Sequence, residues 1–272
     1  MKSAVSQIAI ERPRTLDKAL LMLRDEARTP LAGATDIYVG LNFGTLKARR
    51  FLDITGIDEL RGIRENGDGL VIGAATTYTD VMRSPLVKQH MPILVEASSQ
   101  VGGVQIQNRG TLGGNVANGS PAGDSLPVLA VADAVLVIQS ASGTRRIPFT
   151  SFYTGYRQSV LRADELIVAI EIPRLDGKQW FRKVGTRAAQ AISKLVMAGV
   201  RSSSPRISLG SVAATTIRLP RTEAALAQGA SIHEAAIILE AEITPIDDIR
   251  STAEYRRKVA SNFLRRFWEA TA

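Results

Sequence analysis

The chain has 272 residues, of which 45% are apolar and 22% charged, and its Lys and Arg residues outnumber its Asp and Glu residues by 34 − 26 = 8. These proportions are typical of a folded globular protein and exclude a disordered tail or a low-complexity scaffold, because the apolar surface is large enough to offset the entropy cost of ordering the chain. Cysteine is absent, which excludes disulfides, thiolate metal sites and protein-ligated iron–sulfur clusters within this chain.

Charge and hydropathy also restrict the location and the partners. Residues 1–14 are mixed and polar, and the longest apolar run, 126–138, is too short to cross a bilayer, so we predict a cytoplasmic protein without membrane insertion. Arginine pairs are scattered and are not interleaved with aromatic residues, which favours a solvated surface or a partner interface over nucleic-acid binding. His90 and His233 are the only histidines, so we expect no metal site.

The first third of the sequence predicts short helices alternating with short strands. Thr15 is placed to cap a helix that carries its apolar residues on one face. A strand is predicted at 51–54, and the turn sequence Asn66-Gly67-Asp68-Gly69 is typical of a β-hairpin.

The last hundred residues change in character. A strand is predicted at 166–172, where an alternating apolar pattern stops at Pro173. Antiparallel strands are predicted at 180–184, 194–200 and 206–212, and three helical segments follow them. This change predicts a boundary near Pro173.

A glycine-rich stretch separates these two regions. Residues 102–123 contain seven glycines and three asparagines, with almost no helical periodicity. An irregular stretch of this length inside a compact domain is usually functional. It ends at Asp124, which could cap a helix over 125–132 or accept hydrogen bonds from the hydroxyl groups of a ligand.

Two segments have the composition of an anion cradle: the first segment, 30–37, and the second segment, 110–115. Glycine allows consecutive backbone N–H groups to point into one concavity and allows a ligand to approach the main chain closely. The first segment, taken alone, is also explained by an ordinary turn. Neither segment matches the dinucleotide fingerprint G-x-G-x-x-G, and no phosphate-binding P-loop is present.

The residues of 31–37, 106–115 and 120–127 resemble, in order, the FAD-binding medium subunit of the molybdenum hydroxylase family, which includes xanthine dehydrogenase and carbon monoxide dehydrogenase. The similarity continues through Tyr156-Arg157 and 164–173 to 181–184. It implies an α+β protein with a two-subdomain α/β FAD-binding domain of the PCMH/vanillyl-alcohol-oxidase type over 1–173, with subdomains of about 1–55 and 56–173. An α+β C-terminal flavoprotein domain, 174–272, would follow with a three-stranded antiparallel sheet and a helical bundle.

The resemblance also implies roles for individual residues. The first diphosphate loop would consist of Pro30, Leu31, Ala32, Gly33, Ala34, Thr35, Asp36 and Ile37. The second would consist of Thr111, Leu112, Gly113, Gly114 and Asn115. Asp124 would hold ribityl or neighbouring hydroxyls, Ile167 would contact the adenine side largely through its main chain, Lys183 would lie beside the flavin, and Ile192 would pack near its ring.

One residue departs from the family pattern. Ala34 stands where the second glycine of the first loop is usual. Alanine is tolerated there if its φ is negative, whereas a positive φ would cost roughly 1 kcal/mol or somewhat more.

The function implied by the resemblance is electron transfer. A large subunit carrying the molybdenum cofactor would oxidise the substrate, 2Fe-2S clusters on a small subunit would pass electrons to FAD on this chain, and NAD or another acceptor would take them up. The alternative is a stand-alone FAD-dependent reductase on a related fold, with Glu165 or Tyr156 as the conceivable acid. A basic nucleic-acid-binding module is a third hypothesis, with less support in the charge pattern.

Overall fold

A computed structural model describes residues 8–67 and 69–272 of the chain. Residues 1–7 of the predicted FAD-binding domain and Asp68 of the predicted hairpin turn lie outside the described residues. The described chain forms successive layers of sheet and helix, with buried apolar clusters between them. None of the helices in the described residues is both long and apolar enough to span a membrane.

The first layer is a parallel three-stranded sheet with a helix beside it. The strands are β1 (Ala9–Glu11), β2 (Thr29–Leu31) and β3 (Arg50–Asp53), in the order β1-β3-β2. Helices α1 (Leu16–Asp25) and α2 (Ile37–Asn42) connect them. The predicted cap is confirmed, because the Thr15 side chain accepts a hydrogen bond from the Lys18 amide.

The second layer is an antiparallel five-stranded sheet with the order β4-β5-β10-β6-β7. Its strands are β4 (Ile63–Asn66), β5 (Gly69–Gly73), β6 (Val135–Ser140), β7 (Gly143–Pro148) and β10 (Leu166–Ile172). The predicted hairpin is confirmed by the pairing of Asn66 with Gly69. Alternate residues of β6 point to opposite faces, so Val137 packs toward α1 and β3 while Leu136 and Ile138 pack toward the next helical layer.

Short helices cover the other face of this sheet. They are α3 (Tyr78–Arg83), α4 (Pro85–His90), α5 (Pro92–Ser99), α6 (Val104–Gln107), α7 (Leu112–Asn118) and α8 (Leu126–Val131). A small hairpin of β8 (Tyr153–Gly155) and β9 (Gln158–Ser159) lies at their edge. Two of these helices, α6 and α7, lie inside the glycine-rich stretch, where the sequence shows no helical pattern.

The C-terminal region is an antiparallel sheet with helices on one face. Its strands are β11 (Lys178–Val184), β12 (Leu195–Arg201), β13 (Arg206–Gly210) and β14 (Ile217–Arg218). The helices are α9 (Pro220–Ala227), α10 (Ile232–Glu242) and α11 (Ala253–Ala270). The three long strands are those predicted. The structure adds β14, a two-residue edge strand that is too short to produce a periodic pattern.

Strand β12 is buried on both faces, which explains its unbroken apolar sequence. Val196, Ala198 and Val200 pack with the helices of the second layer, whereas Leu195 and Met197 pack with the C-terminal helices. The C-terminal sheet is therefore joined to the predicted FAD-binding domain through a continuous apolar interface.

Candidate functional site

The first segment starts at the carboxyl end of a parallel strand, β2, where ligands commonly bind in α/β sheets. Strand β2 ends at Leu31, whose carbonyl accepts the Ile54 amide at 3.0 Å, and α2 begins at Ile37. Among the described residues, no acceptor faces the amides of Gly33, Ala34, Thr35 and Asp36. This loop therefore offers a run of free N–H donors, as an anion cradle requires.

Ala34 has a φ of 63°, in the left-handed region that glycine adopts freely. The residue that departs from the family pattern thus has a strained backbone. Non-glycine residues in this region tend to occur where surrounding structure and a ligand site over-determine the backbone.

Replacing Ala34 with glycine is expected to raise the free energy of unfolding by about 1 kcal/mol, because it removes the steric cost of a Cβ at positive φ. Urea unfolding followed by circular dichroism measures the change. Ala32 is not among the positive-φ residues, so Ala32→Gly serves as the matched control and should destabilise the protein by about 0.5–1 kcal/mol. A loss of stability in both variants would show that the positive φ costs nothing.

The two predicted segments touch at Gly33. A Cβ built on Gly33 would lie 1.9 Å from the carbonyl oxygen of Arg109 and 3.0 Å from the Cα of Gly110. These are backbone atoms that cannot move aside as a flexible side chain could. Only glycine at this position allows the first and second segments to lie side by side.

The second segment differs from the expectation that its amides are available to a ligand. Leu112 donates to the carbonyl of Thr76 at 3.0 Å, Gly113 to that of Ala74 at 2.9 Å, and Gly114 to the Thr111 hydroxyl at 3.1 Å. The Asn115 amide donates to the Thr111 carbonyl, also inside the protein. The glycines here permit packing: a Cβ on Gly113 would lie 2.5 Å from the Cβ of Ala74.

A small cleft lies between the two segments. Its volume is about 100 Å³, and its lining comprises Ala32, Gly33, Thr55, Arg61, Ala75, Thr77, Asn108, Arg109 and Thr111. Arg61 is held by a hydrogen bond of 2.8 Å to the carbonyl of Thr55. The Arg109 guanidinium donates no hydrogen bond to an acceptor among the described residues. The cleft lining thus combines Gly33, the first residue of the free-amide run, with two cationic side chains, a donor set suited to a phosphate or diphosphate group.

Asp124 does not cap α8. The N-cap position is Ser125, which makes no side-chain capping bond. The Asp124 carboxylate is buried, with 7% of the residue exposed, and accepts hydrogen bonds from Lys183 Nζ at 2.6 Å and from the Ser193 hydroxyl. Burial raises the pKa of this carboxyl above its ordinary value, and the charge of Lys183 partly offsets that rise. The capping prediction was wrong because distant partners compete for the carboxylate.

Lys183 and Ile192 lie on the side of the C-terminal region that faces the short helices of the second layer. Lys183, on β11, also donates to the carbonyl of Gln100 at 2.9 Å. Ile192 precedes Ser193 in the connection between β11 and β12, and 54% of its surface is exposed. An apolar side chain thus stands in solvent beside the buried Asp124–Lys183 ion pair.

Helix α7 links this ion pair to the cleft. Thr111 caps its first turn, and Asn115, about 6 Å further along at 1.5 Å per residue, accepts a hydrogen bond of 2.8 Å from the Ser125 hydroxyl. Ser125 directly follows Asp124. A chain of contacts therefore connects the first segment, the second segment and the Asp124–Lys183 pair.

Ile167 makes none of these contacts. It is buried on β10 and belongs to the apolar core, next to a register shift between Ile167 and Ala169. The carbonyl of Val168 accepts the Ala74 amide at 3.0 Å, and the Ala74 carbonyl accepts that of Gly113. Strand β10 thus supports the second segment from behind.

Sequence reasoning missed Arg61, Ser193 and Ser211. Arg61 lies in a non-repetitive turn with no motif, so no sequence signal pointed to it. The two serines become relevant only through contacts between distant parts of the chain.

The arrangement agrees with comparisons to known protein families. Residues 6–175 match the model described as the FAD binding domain in molybdopterin dehydrogenase, and residues 180–271 match the CO dehydrogenase flavoprotein C-terminal domain. The chain belongs to the FAD-binding medium subunits of the molybdenum hydroxylases. It is therefore an oxidoreductase subunit, and its cofactor is FAD.

Relatives and solved structures support this membership over most of the chain. The carbon monoxide dehydrogenase medium chain of Hydrogenophaga pseudoflava is 32% identical over 87% of this chain and 86% of its own length. The glyceraldehyde dehydrogenase medium chain of Sulfolobus acidocaldarius is 30% identical over 91% of this chain and 92% of its own length. A solved structure of the Hydrogenophaga pseudoflava carbon monoxide dehydrogenase superposes with a TM-score of 0.92 at 29% identity, covering 97% of both chains. The α+β architecture predicted from the sequence is confirmed.

Proposed function

We propose that the cleft between the first and second segments binds the diphosphate of FAD. The observation that carries this proposal is the run of four free amides that starts at Gly33, a residue of the cleft lining, together with Arg61 and Arg109 in the same lining. Pro30 and Leu31 end the strand that presents these donors, and Ile37 starts the helix behind them. The second segment would contribute the Thr111 hydroxyl and the close backbone approach that its glycines allow.

The remaining site residues would hold the rest of the cofactor. Asp124 retains lone pairs for ribityl hydroxyls beyond those used by Lys183 and Ser193. Lys183 would lie beside the flavin, and the exposed side chain of Ile192 offers the apolar surface that a flavin ring would cover. Ile167 would face the adenine side, where the register shift of β10 interrupts the regular pairing of its main chain.

We further propose that this chain transfers electrons between partner subunits and a soluble acceptor, with NAD as one candidate. Bound FAD exchanges electrons singly or in pairs, so it can connect one-electron clusters with a two-electron acceptor. A small iron–sulfur subunit and a large molybdenum subunit would be its partners, in the cytoplasm. The absence of cysteine supports a division of labour in which the clusters lie on another chain.

The partner proposal is tested by co-purification from the native source, followed by anaerobic mixing with NADH or with the substrate of the complex. We expect the assembled complex to exchange electrons between its clusters and its flavin, and the isolated FAD-loaded chain to turn over no physiological substrate. Steady turnover of an enolpyruvyl substrate with NADH by the isolated chain would favour the stand-alone reductase instead.

The two arginines provide a prediction about the cleft. Arg61→Gln and Arg109→Gln are each expected to weaken FAD binding by about three- to tenfold, since each removes one charge-assisted contact with phosphate. Fluorescence titration at low and high salt measures this, and the salt dependence should fall along with the affinity. Arg64→Gln, an exposed arginine on β4 outside the cleft lining, is the control. Equal losses of FAD affinity in all three variants would show that Arg61 and Arg109 do not bind the diphosphate.

A further inference from the structure

The C-terminal region forms hydrogen bonds at two points with the loop that carries Asp124. At one point, Lys183 and Ser193 both donate to the Asp124 carboxylate. At the other, the amide of Ser211 donates to the carbonyl of Pro121 at 2.8 Å. The loop between α7 and α8 is therefore held at Pro121 and Asp124, three residues apart, by Lys183 of β11 and by Ser193 and Ser211, which follow β11 and β13 in the chain.

At the second point of contact, the two backbones pack closely against each other. Ser211 is buried and has a φ of 66°, in the left-handed region. A Cβ on the preceding Gly210 would lie 2.8 Å from the carbonyl oxygen of Pro121. A strained backbone in direct contact with a neighbouring loop persists only where its surroundings over-determine it.

Ser193 and Ser211 are themselves connected. The Ser211 hydroxyl donates to the carbonyl of Ser193 at 3.1 Å, and Ser193 is 1% exposed. A continuous hydrogen-bonded path therefore runs from Pro121 through Ser211 and Ser193 to Asp124, which also binds Lys183. Pro121 and Asp124 lie on the same loop, so the path from one to the other closes on itself.

We propose that Ser193 and Ser211 are positioning residues that hold the Asp124–Lys183 pair in place for the flavin. This inference rests on the proposed FAD site. The carboxylate of an aspartate rotates within a broad torsional well, and the Ser193 hydroxyl fixes one of its two oxygens. Without that bond, the carboxylate turns and the Lys183 ammonium follows it, so the charges beside the flavin move although both residues remain present.

The hydrogen-bonded path also predicts which of the two serine substitutions has the larger effect on the bound flavin. Ser193 contacts the carboxylate directly, whereas Ser211 acts through the backbone of Ser193. The change at the flavin should therefore be larger for Ser193→Ala than for Ser211→Gly. Glycine suits the positive φ of Ser211, so Ser211→Gly removes the hydroxyl while relieving the backbone strain, and it provides a variant that folds if Ser193→Ala does not.

A matched control lies on the same sheet. Ser208, on β13, is fully buried, and its hydroxyl donates to the carbonyl of Ile217 at 2.8 Å. Ser208→Ala therefore removes a buried serine hydrogen bond of the same kind within the C-terminal sheet, outside the path to Asp124.

The test measures, for the full chain and each variant, the FAD dissociation constant, the visible circular dichroism of the bound flavin and the thermal unfolding of the FAD-free protein. We expect Ser193→Ala to weaken FAD binding about tenfold and to alter the flavin spectrum, with Ser211→Gly intermediate. Ser208→Ala should lower thermal stability and leave both flavin readouts unchanged.

The inference is overturned if Ser193→Ala and Ser211→Gly keep the wild-type spectrum and affinity while losing as much stability as Ser208→Ala. The serines would then be structural only. A wild-type chain that binds no FAD would instead refute the proposed function, so the two failures are distinguishable.

Discussion

Replacing Gly33 with alanine is expected to lower the affinity for FAD by roughly a hundredfold or more, about 2.7 kcal/mol. The added Cβ would lie 1.9 Å from the Arg109 carbonyl oxygen, so the two segments must separate. That separation widens the cleft and misplaces the free amides that follow Gly33, which we expect to be the principal diphosphate donors. Fluorescence titration of the purified variant with FAD measures the loss.

Gly56→Ala provides the matched control, because a Cβ on Gly56 would meet its nearest atom, in the Arg12 side chain, at an ordinary 3.9 Å. Gly56 lies in the same part of the fold, shortly after the end of β3 and next to Thr55 of the cleft lining. We expect this variant to bind FAD as the wild type does. If Gly33→Ala keeps full affinity and an unchanged unfolding temperature, the contact between the two segments is not required for binding.

Replacing Lys183 with methionine is expected to cost about 3–5 kcal/mol of the free energy of unfolding, because it leaves the buried Asp124 carboxylate without its cation. The side chains of Lys183 and Asp124 are only 6% and 8% exposed, so water cannot replace the lost charge. We also expect FAD to bind far more weakly. Urea unfolding and FAD titration of the same preparation measure both effects.

Arg146→Met is the control for this prediction. Arg146 pairs with Glu171 at 3.1 Å, but 62% of its side chain is exposed, and exposed ion pairs contribute little. Adding Asp124→Asn to Lys183→Met should recover part of the lost stability, since the uncompensated charge is then removed. Equal small losses at Arg146 and Lys183 would contradict the importance assigned to the buried pair.

The periodic parts of the fold could be predicted from sequence because their patterns are local. Helix α1 and the hairpin of β4 and β5 each combine an apolar pattern with a cap or turn residue. Strand β12 was recognisable from its continuous apolar run. Short elements such as β14 lack enough residues to produce a pattern.

Helix α7 could not be predicted from its own residues. Its sequence, LGGNVAN, is rich in glycine and asparagine, which are poor helix formers. It forms because Thr111 caps it and because Gly113 fits closely against Ala74. Tertiary packing therefore decides the conformation of the segment that the glycine content identified.

The candidate site was only partly predictable for a related reason. The glycine content of the sequence indicated the segments on both sides of the cleft, because glycine is required where the local backbone conformation or a close contact leaves no room for a Cβ. The partners of Asp124 are 59 and 69 residues away in the chain, and no local pattern reveals them. Only the resemblance to a known family pointed to Lys183, and nothing in the sequence pointed to Ser193.

The most direct test of the FAD site is two-dimensional NMR of the chain labelled with 15N-glycine and 15N-alanine, titrated with FAD, ADP and riboflavin. We predict that the amide resonances of Gly33 and Ala34 shift with FAD and with ADP, which carry a diphosphate, and not with riboflavin. The Gly113 amide, which already donates to Ala74, should shift least. Saturable FAD binding that leaves the Gly33 and Ala34 resonances unmoved would contradict the assignment of the diphosphate to the first segment.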